Sequence, residues 1–432
     1  MIRELNIGNY KSLDGVSLSL GNLVVFVGAN GSGKSNIVDV LRFLHDSLTS
    51  NLSVAVGRRL GWQNVLTRGK SVRESIRLSI RVEPSKREVF QTYHARVRTP
   101  APNKRKVSQS YPAPVRHVAY EPTRFDYSLE MRSVKDVQRV SREVLDARWW
   151  GENKEIRDGF TRKRKSIKIR GNLARIGLRR SVRPTQTERI VTEVLGLARE
   201  EEDSLFLGSR FFSMSGMRLS RFVRNWRFYE LIVGSSRNPS PQAAEQILAQ
   251  DGHNLSLVLD RLRRAKDQRM HRITSLMRVL VPEFESWETE RQFDGRIGFK
   301  IKEKNISKGF FPEMISDGTI RLLGILVALL NQPESTTLIS IDEPERCLHP
   351  QVLETLVEVM REVSAKTQVV LTTHSAEMAK WLKPDEIYMV DKKANRTRIV
   401  RGSDVPSIDN FMKEFSLDEL WLAGYLKGGT IA

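Results

Sequence analysis

The chain has 432 residues, with 71 Lys or Arg against 51 Asp or Glu and a formal net charge of +20. Forty per cent hydrophobic and 28% charged residues exclude a disordered or fibrous chain and leave enough apolar side chains for two or three packed domains. A single cysteine, Cys347, excludes a disulfide framework or multi-cysteine zinc site, and the longest apolar run, Leu322–Leu330, is far short of the ~20 residues of a membrane helix.

In chain order, the segment 1–20 has no apolar leader core. It reads as two short strands about Asn9-Tyr10-Lys11-Ser12. With a reducing compartment implied by the lone cysteine, a cytoplasmic protein without a membrane partner is expected. Leu23–Val27 is a continuous apolar run, the pattern of a strand buried on both faces. It feeds a glycine-rich turn and a helix from about Lys34 to Asp46. Ser75–Val82 and Val89–Val97 read as paired strands, and Thr99–Pro114 as a Pro-rich basic linker. From about Phe125 to Met277 the composition is rich in Ala, Leu, Arg and Glu, and a mainly helical stretch is expected. Thr185–Glu202 and Asn254–Leu280 are its best helices. Phe299–Lys302 reads as a strand, Asp317–Leu330 as a helix, Thr337–Ile341 as a buried strand, Gln351–Val363 as a helix and Thr367–Thr372 as another buried strand. Strand–helix alternation in the last third argues an α/β layer fold with a parallel core.

The charge is not spread evenly. Residues 1–56 are net 0, residues 57–240 net +22 and residues 241–432 net −2. The densest stretch, Phe160–Arg183, holds ten basic and no acidic residues. Its cluster Arg162, Lys163, Arg164 and Lys165, with Lys168, is the candidate surface for a polyanion such as nucleic acid; a solvated face is the competing reading.

Gly28-Ala29-Asn30-Gly31-Ser32-Gly33-Lys34-Ser35 fits the phosphate-binding pattern G-x-x-x-x-G-K-[ST] between a strand and a helix. Glycines let main-chain N–H groups converge on phosphates, and the helix start adds a favourable dipole. Gly28, Asn30, Gly31, Ser32, Gly33, Lys34 and Ser35 are thus candidate ATP contacts, with Lys34 on the β and γ phosphates and Ser35 on Mg²⁺. Leu338–Glu343 is an apolar run ending in two carboxylates. Asp342 is the expected second Mg²⁺ ligand, and Glu343 the group that polarises the attacking water.

Ile315-Ser316-Asp317-Gly318-Thr319 before an apolar helix resembles the signature loop of ABC-class ATPases, and His374 in Leu371–Ser375 resembles their switch histidine. Asp342-Glu343-Pro344-Glu345 through Leu348-His349-Pro350 resembles the non-transporter members of the SMC/RecF group. Asp251–Leu259 and Phe415–Trp421 add a resemblance to its AAA-21-type ATPases, which include OLD-like and phage-defence members. The resemblance covers roughly residues 1–98 and 250–432. It implies an α/β P-loop NTPase of ABC-ATPase type, a mixed sheet flanked by helices with N-terminal antiparallel strands, to which charge and composition add a mainly helical basic insertion. The expected domains are 1–98 and 301–432 for the two ATPase halves and 99–300 for the insertion. It also implies that two subunits sandwich ATP, Ser316, Asp317 and Gly318 of one meeting the nucleotide of the other. His374 would sense the γ-phosphate, so Glu343, His374 and Lys34 form the expected catalytic set. Asp317 stands where the wider family has glycine, and His349 where it has aspartate. Gln63 is the candidate for the loop glutamine of the class, and Lys11-Ser12 for a basic–Ser pair near the nucleotide. The function expected is an ATP-driven clamp or sensor that licenses a separate effector, a nuclease or toxin, in phage defence or DNA maintenance. A RecF-like ATPase binding DNA through the insertion and a slow-turnover scaffold sequestering its partner are the alternatives.

Overall fold

The computed structural model describes residues 1–84, 90–94, 116–134, 137–151, 154–163, 166–170, 205, 207 and 214–424. In chain order its strands are β1 (Ile2–Gly8), β2 (Val16–Ser19), β3 (Leu23–Val27), β4 (Ile76–Val82), β5 (Phe90–His94), β6 (Arg116–Val134), β7 (Val137–Gly151), β8 (Lys154–Lys163), β9 (Ser166–Arg170), β10 (Trp226–Tyr229), β11 (Phe284–Arg291), β12 (Ile297–Glu303), β13 (Leu338–Asp342), β14 (Gln368–Thr373), β15 (Ile387–Lys393) and β16 (Arg396–Arg401).

The sheet that positions the site has the order β10-β13-β14-β3-β15-β16. Its neighbours run parallel until β16 returns antiparallel to β15. Both faces are covered. Val24, Phe26 and Val370 point into one hydrophobic cluster, and Val25, Val27, Val369 and Leu371 into another. That double burial is why β3 and β14 read as unbroken apolar runs. The helix Lys34–Thr49 supplies Ile37, Leu41 and Leu44 to the first cluster. The helices Asp317–Leu330 and Leu353–Ser364 supply Ile320, Leu323, Leu356 and Met360 to the second. β11 and β12 form a separate hairpin. Among the described residues no helix is long and apolar enough to cross a membrane.

The other large sheet is antiparallel, with the path β2-β1-β4-β6-β7-β8-β9 and β5 paired to β6. It corrects the expectation of a mainly helical insertion over 99–300: residues 116–170, where described, are strands. The period settles the matter. Phe125, Tyr127, Leu129 and Met131 are buried while Arg124, Asp126, Ser128 and Glu130 are half-exposed, an alternation of two and not of 3.6. Ala, Leu, Arg and Glu are helix formers, but burial of one sheet face overrides that preference. β4 pairs with β1 and β6 and not with β5. The expected helix over Asn254–Leu280 is two helices, Leu255–Arg264 and Gln268–Leu280. They part at Lys266, whose φ is 48°, and at Asp267, whose carboxylate accepts from the Arg269 amide as an N-cap. Thr99–Pro114, Thr185–Glu202, Arg164 and Lys165 lie outside the described residues.

Arg162 is also corrected. It lies opposite Glu143 in the β7–β8 ladder, on the covered face that carries Phe160. The two side chains are only 3% and 0% exposed, with 3.9 Å between guanidinium and carboxylate. Glu143 also accepts from the Tyr127 hydroxyl at 2.9 Å and the Leu207 amide at 2.8 Å. Parity along β8 thus turns Arg162 inward, away from any polyanion, while its neighbour Lys163 is exposed. Arg162→Met should destabilise the fold by about 3–5 kcal/mol because Glu143 keeps its buried charge. Adding Glu143→Gln should recover most of the loss in the midpoint of denaturant unfolding.

Candidate functional site

β3 ends at Val27, and the chain turns over the strand end before the helix begins at Lys34. Two glycines are forced by close approach. A Cβ on Gly28 would lie 2.2 Å from the Val390 carbonyl oxygen, and one on Gly33, where φ is 108°, 2.1 Å from Thr397 Oγ1. Thr397 donates to the Ser32 carbonyl at 2.9 Å and lies 2.6 Å from Ser12 Oγ, which accepts from Asn36 Nδ2 at 2.8 Å. With the Thr397 proton committed to Ser32, Ser12 gives its own proton to Thr397. Ser12, Asn36 and Thr397 therefore brace the loop from behind. Lys11 instead sits 2.6 Å from Asp39, which also accepts from the Tyr10 hydroxyl and from Arg59.

Lys34 Nζ donates to the Gly28 and Ala29 carbonyls at 2.7 and 2.9 Å, inside the loop. Burial lowers its pKa, and Glu343, Asp342 and Glu345 act in the opposite direction. The ammonium and these carboxylates thus lie in one another's field. Sheet order explains it: β3 and β13 flank β14, and all three run parallel, so their C-terminal ends meet on one edge.

On that edge the Asp342 carboxylate accepts from the Thr372 hydroxyl. Glu343 has φ 45°, donates its amide to the Thr372 carbonyl at 3.0 Å, and places Oε1 2.9 Å from His374 Nδ1. Glu345 is buried beneath them, accepting from Thr373 Oγ1 at 2.5 Å and the His374 amide at 3.3 Å. Burial pushes its carboxyl above the usual range. The Ser32 hydroxyl is buried with no partner among the described residues. Ser35, one residue into the helix, and Asp342 offer hydroxyl and carboxylate oxygens, the hard donors that suit Mg²⁺.

Ser316, Asp317 and Gly318 open the helix Asp317–Leu330, with Ser316 as N-cap accepting from the Thr319 amide at 3.2 Å. Ser316 and Asp317 are exposed, and Asp317 is bonded by Arg237 at 2.5 Å, which also donates to the Pro312 and Ile315 carbonyls. A Cβ on Gly318 would meet the Cys347 carbonyl at 2.6 Å. The structure thus gathers Lys34, Ser35, Asp342, Glu343 and His374 on one edge, while the polar contacts of Ser316 and Asp317 are to Thr319 and Arg237. Gln63 is exposed on a short helix whose last residue, Val65, accepts from the Lys11 amide. His349 caps the turn Pro350–Val352. Of the polyanion candidates, Lys168 has its β9 backbone paired to Thr161.

The chain is similar to two families of ATPase domains. Residues 1–94 match the one described as "AAA ATPase domain", and residues 217–378 the one described as "AAA domain, putative AbiEii toxin, Type IV TA system". No curated protein matches. Among solved structures it is similar to an SMC head bound to the C-winged helix domain of ScpA, at TM-score 0.50 and 12% identity, covering 92% of this chain and 97% of that one. An SMC head from Thermotoga maritima aligns at TM-score 0.40 and 13% identity over 93% and 98%. A head with an extended coiled coil, bound to the C-terminal domain of ScpA derived from Pyrococcus furiosus, aligns at 0.47 and 12% over 96% and 99%.

Proposed function

We propose that the chain is a P-loop ATPase of the ABC class on a fold similar to that of an SMC head, and that two copies close around ATP and pass their nucleotide state to a separate effector. The observation that carries this reading is the common edge on which the parallel strands β3, β13 and β14 end, bringing the phosphate loop with Lys34 beside Asp342, Glu343 and His374. ATP phosphates entering the loop compete with the Gly28 and Ala29 carbonyls for the Lys34 ammonium, and the Ser32 hydroxyl, without a partner among the described residues, becomes a donor to them. Ser35 and Asp342 would hold magnesium, which when bound neutralises phosphate charge. Glu343 orients a water toward the γ-phosphorus and takes its proton. The bond to the β–γ bridging oxygen breaks, leaving ADP and phosphate. His374 fixes the Glu343 carboxylate through the 2.9 Å contact.

The helix start at Ser316–Gly318 supports a second subunit, because Ser316 and Asp317 are exposed there and its N-terminal dipole suits a partner's γ-phosphate. Met314 and Phe311 beside it are 67% and 44% exposed, apolar surface that a second copy would cover. The description of one matched family, a putative toxin of a type IV toxin–antitoxin system, supports a role in such a system, with a toxin as the partner this ATPase licenses. Sedimentation with ATP should show a dimer for Glu343→Gln and a monomer for Glu343→Gln with Ser316→Arg. A dimer that survives Ser316→Arg would remove the signature from the interface.

A further inference from the structure

Arg321 lies five residues after Ser316 and is only 6% exposed. Buried guanidinium groups normally face a carboxylate. This one donates to main chain: Nη1 to the Leu231 carbonyl at 2.7 Å, Nη2 to the Glu343 carbonyl at 2.7 Å and to that of Asp342 at 3.4 Å. Its Nε is buried with no partner among the described residues. Burial disfavours its charge, so the site holds an arginine at a cost.

What it holds is unusual backbone. Glu343 has φ 45°, the left-handed region that a glutamate keeps only when its surroundings impose it. Its amide is pinned to the Thr372 carbonyl on β14, and its carbonyl by Arg321 and by the Arg346 amide at 3.2 Å. The same helix start presses Gly318 against the Cys347 carbonyl, leaving no room for a Cβ.

We propose that Arg321 is a positioning residue for Glu343, fixing its main chain so that the carboxylate meets His374, and tying it to the helix start that reaches the partner's nucleotide. The proposal rests on the reading that Glu343 acts on the attacking water and that Ser316–Gly318 serve the opposite site. Under it, filling one site reaches the carboxylate of the other through a single arginine.

The test compares Arg321→Met and Arg321→Lys in the full chain, each with and without Glu343→Gln. The readouts are kcat, KM and direct binding of a fluorescent ATP analogue. Arg321→Met should lower kcat roughly 10- to 100-fold, as misplacement of a reacting group does. KM and affinity should move less than about threefold, and Arg321→Lys should restore part of kcat. In the Glu343→Gln background, adding Arg321→Met should leave the residual rate within about twofold, because the group it acts through is already lost. Equal losses in both backgrounds, or full kcat in folded Arg321→Met, overturn the proposal. If Arg321→Met does not fold, the same comparison made with Arg321→Lys decides. Full turnover by Glu343→Gln would overturn premise and proposal together, whereas an inactive Glu343→Gln beside a fully active Arg321→Met overturns the proposal alone.

Discussion

Glu343→Gln is expected to bind ATP about as tightly as the wild type and to hydrolyse it roughly 10²- to 10⁴-fold more slowly, the range spanned by positioned acid–base groups. The substitution keeps shape and one oxygen, so the 2.9 Å contact with His374 can persist with His374 Nδ1 as donor. The amide bond to Thr372 and the φ of 45° belong to the main chain and are untouched. What is lost is the capacity to accept a proton from water. Lys34, the loop amides and Ser35 do not involve this carboxylate in gripping phosphate, so affinity should be spared. Rapid-quench turnover and equilibrium binding, measured on the same preparation, separate the two quantities. A variant that hydrolyses at the wild-type rate would show that Glu343 is not the group acting on water.

The loop and the two acidic residues were legible because each depends on a short, contiguous pattern. Leu23–Val27 is apolar throughout because both sheet faces are covered, and the glycines follow from contacts as close as 2.1 Å. The brace behind the loop was not legible. Thr397 lies 365 residues from Ser32 and reaches it only because β15 and β16 return beside β3. Glu345 stood in the acidic motif, but its burial and its grip on the His374 amide depend on where β14 ends. Arg321 is one residue of the expected helix Asp317–Leu330, and its bond to the Glu343 carbonyl, 22 positions away, depends on how that helix packs beside the end of β13.

The basic middle of the chain shows the opposite failure. Composition favours helix from about Phe125 to Met277, whereas the alternation Phe125, Tyr127, Leu129, Met131 carries a strand signal. Arg162 counted as one more positive charge until the ladder placed it opposite Glu143 on the covered face. A charge count treats every arginine as surface; parity on a one-sided sheet divides them.

Lys34→Met should weaken ATP binding roughly 10- to 100-fold, since a hydrogen bond to a charged group contributes about 1.5–3 kcal/mol and each 1.4 kcal/mol is tenfold. The side chain is buried and already bonded to the Gly28 and Ala29 carbonyls, so what phosphate gains is an exchange of partners and not a new contact. That exchange keeps the expected loss below what a bare ion pair in a low dielectric would suggest. A second signature reports the burial of this ammonium in the folded chain. Burial depresses its pKa below the ordinary 10.5, so the unfolded chain binds more protons between the folded value and 10.5. Stability contributed through this group therefore rises with pH across that window, and the methionine variant should lose the slope. Calorimetric titration with ATP gives the first quantity and denaturant midpoints over a pH series the second. Unchanged affinity would place the Lys34 ammonium outside the phosphate site, and an unchanged slope would show that its burial does not shift its titration.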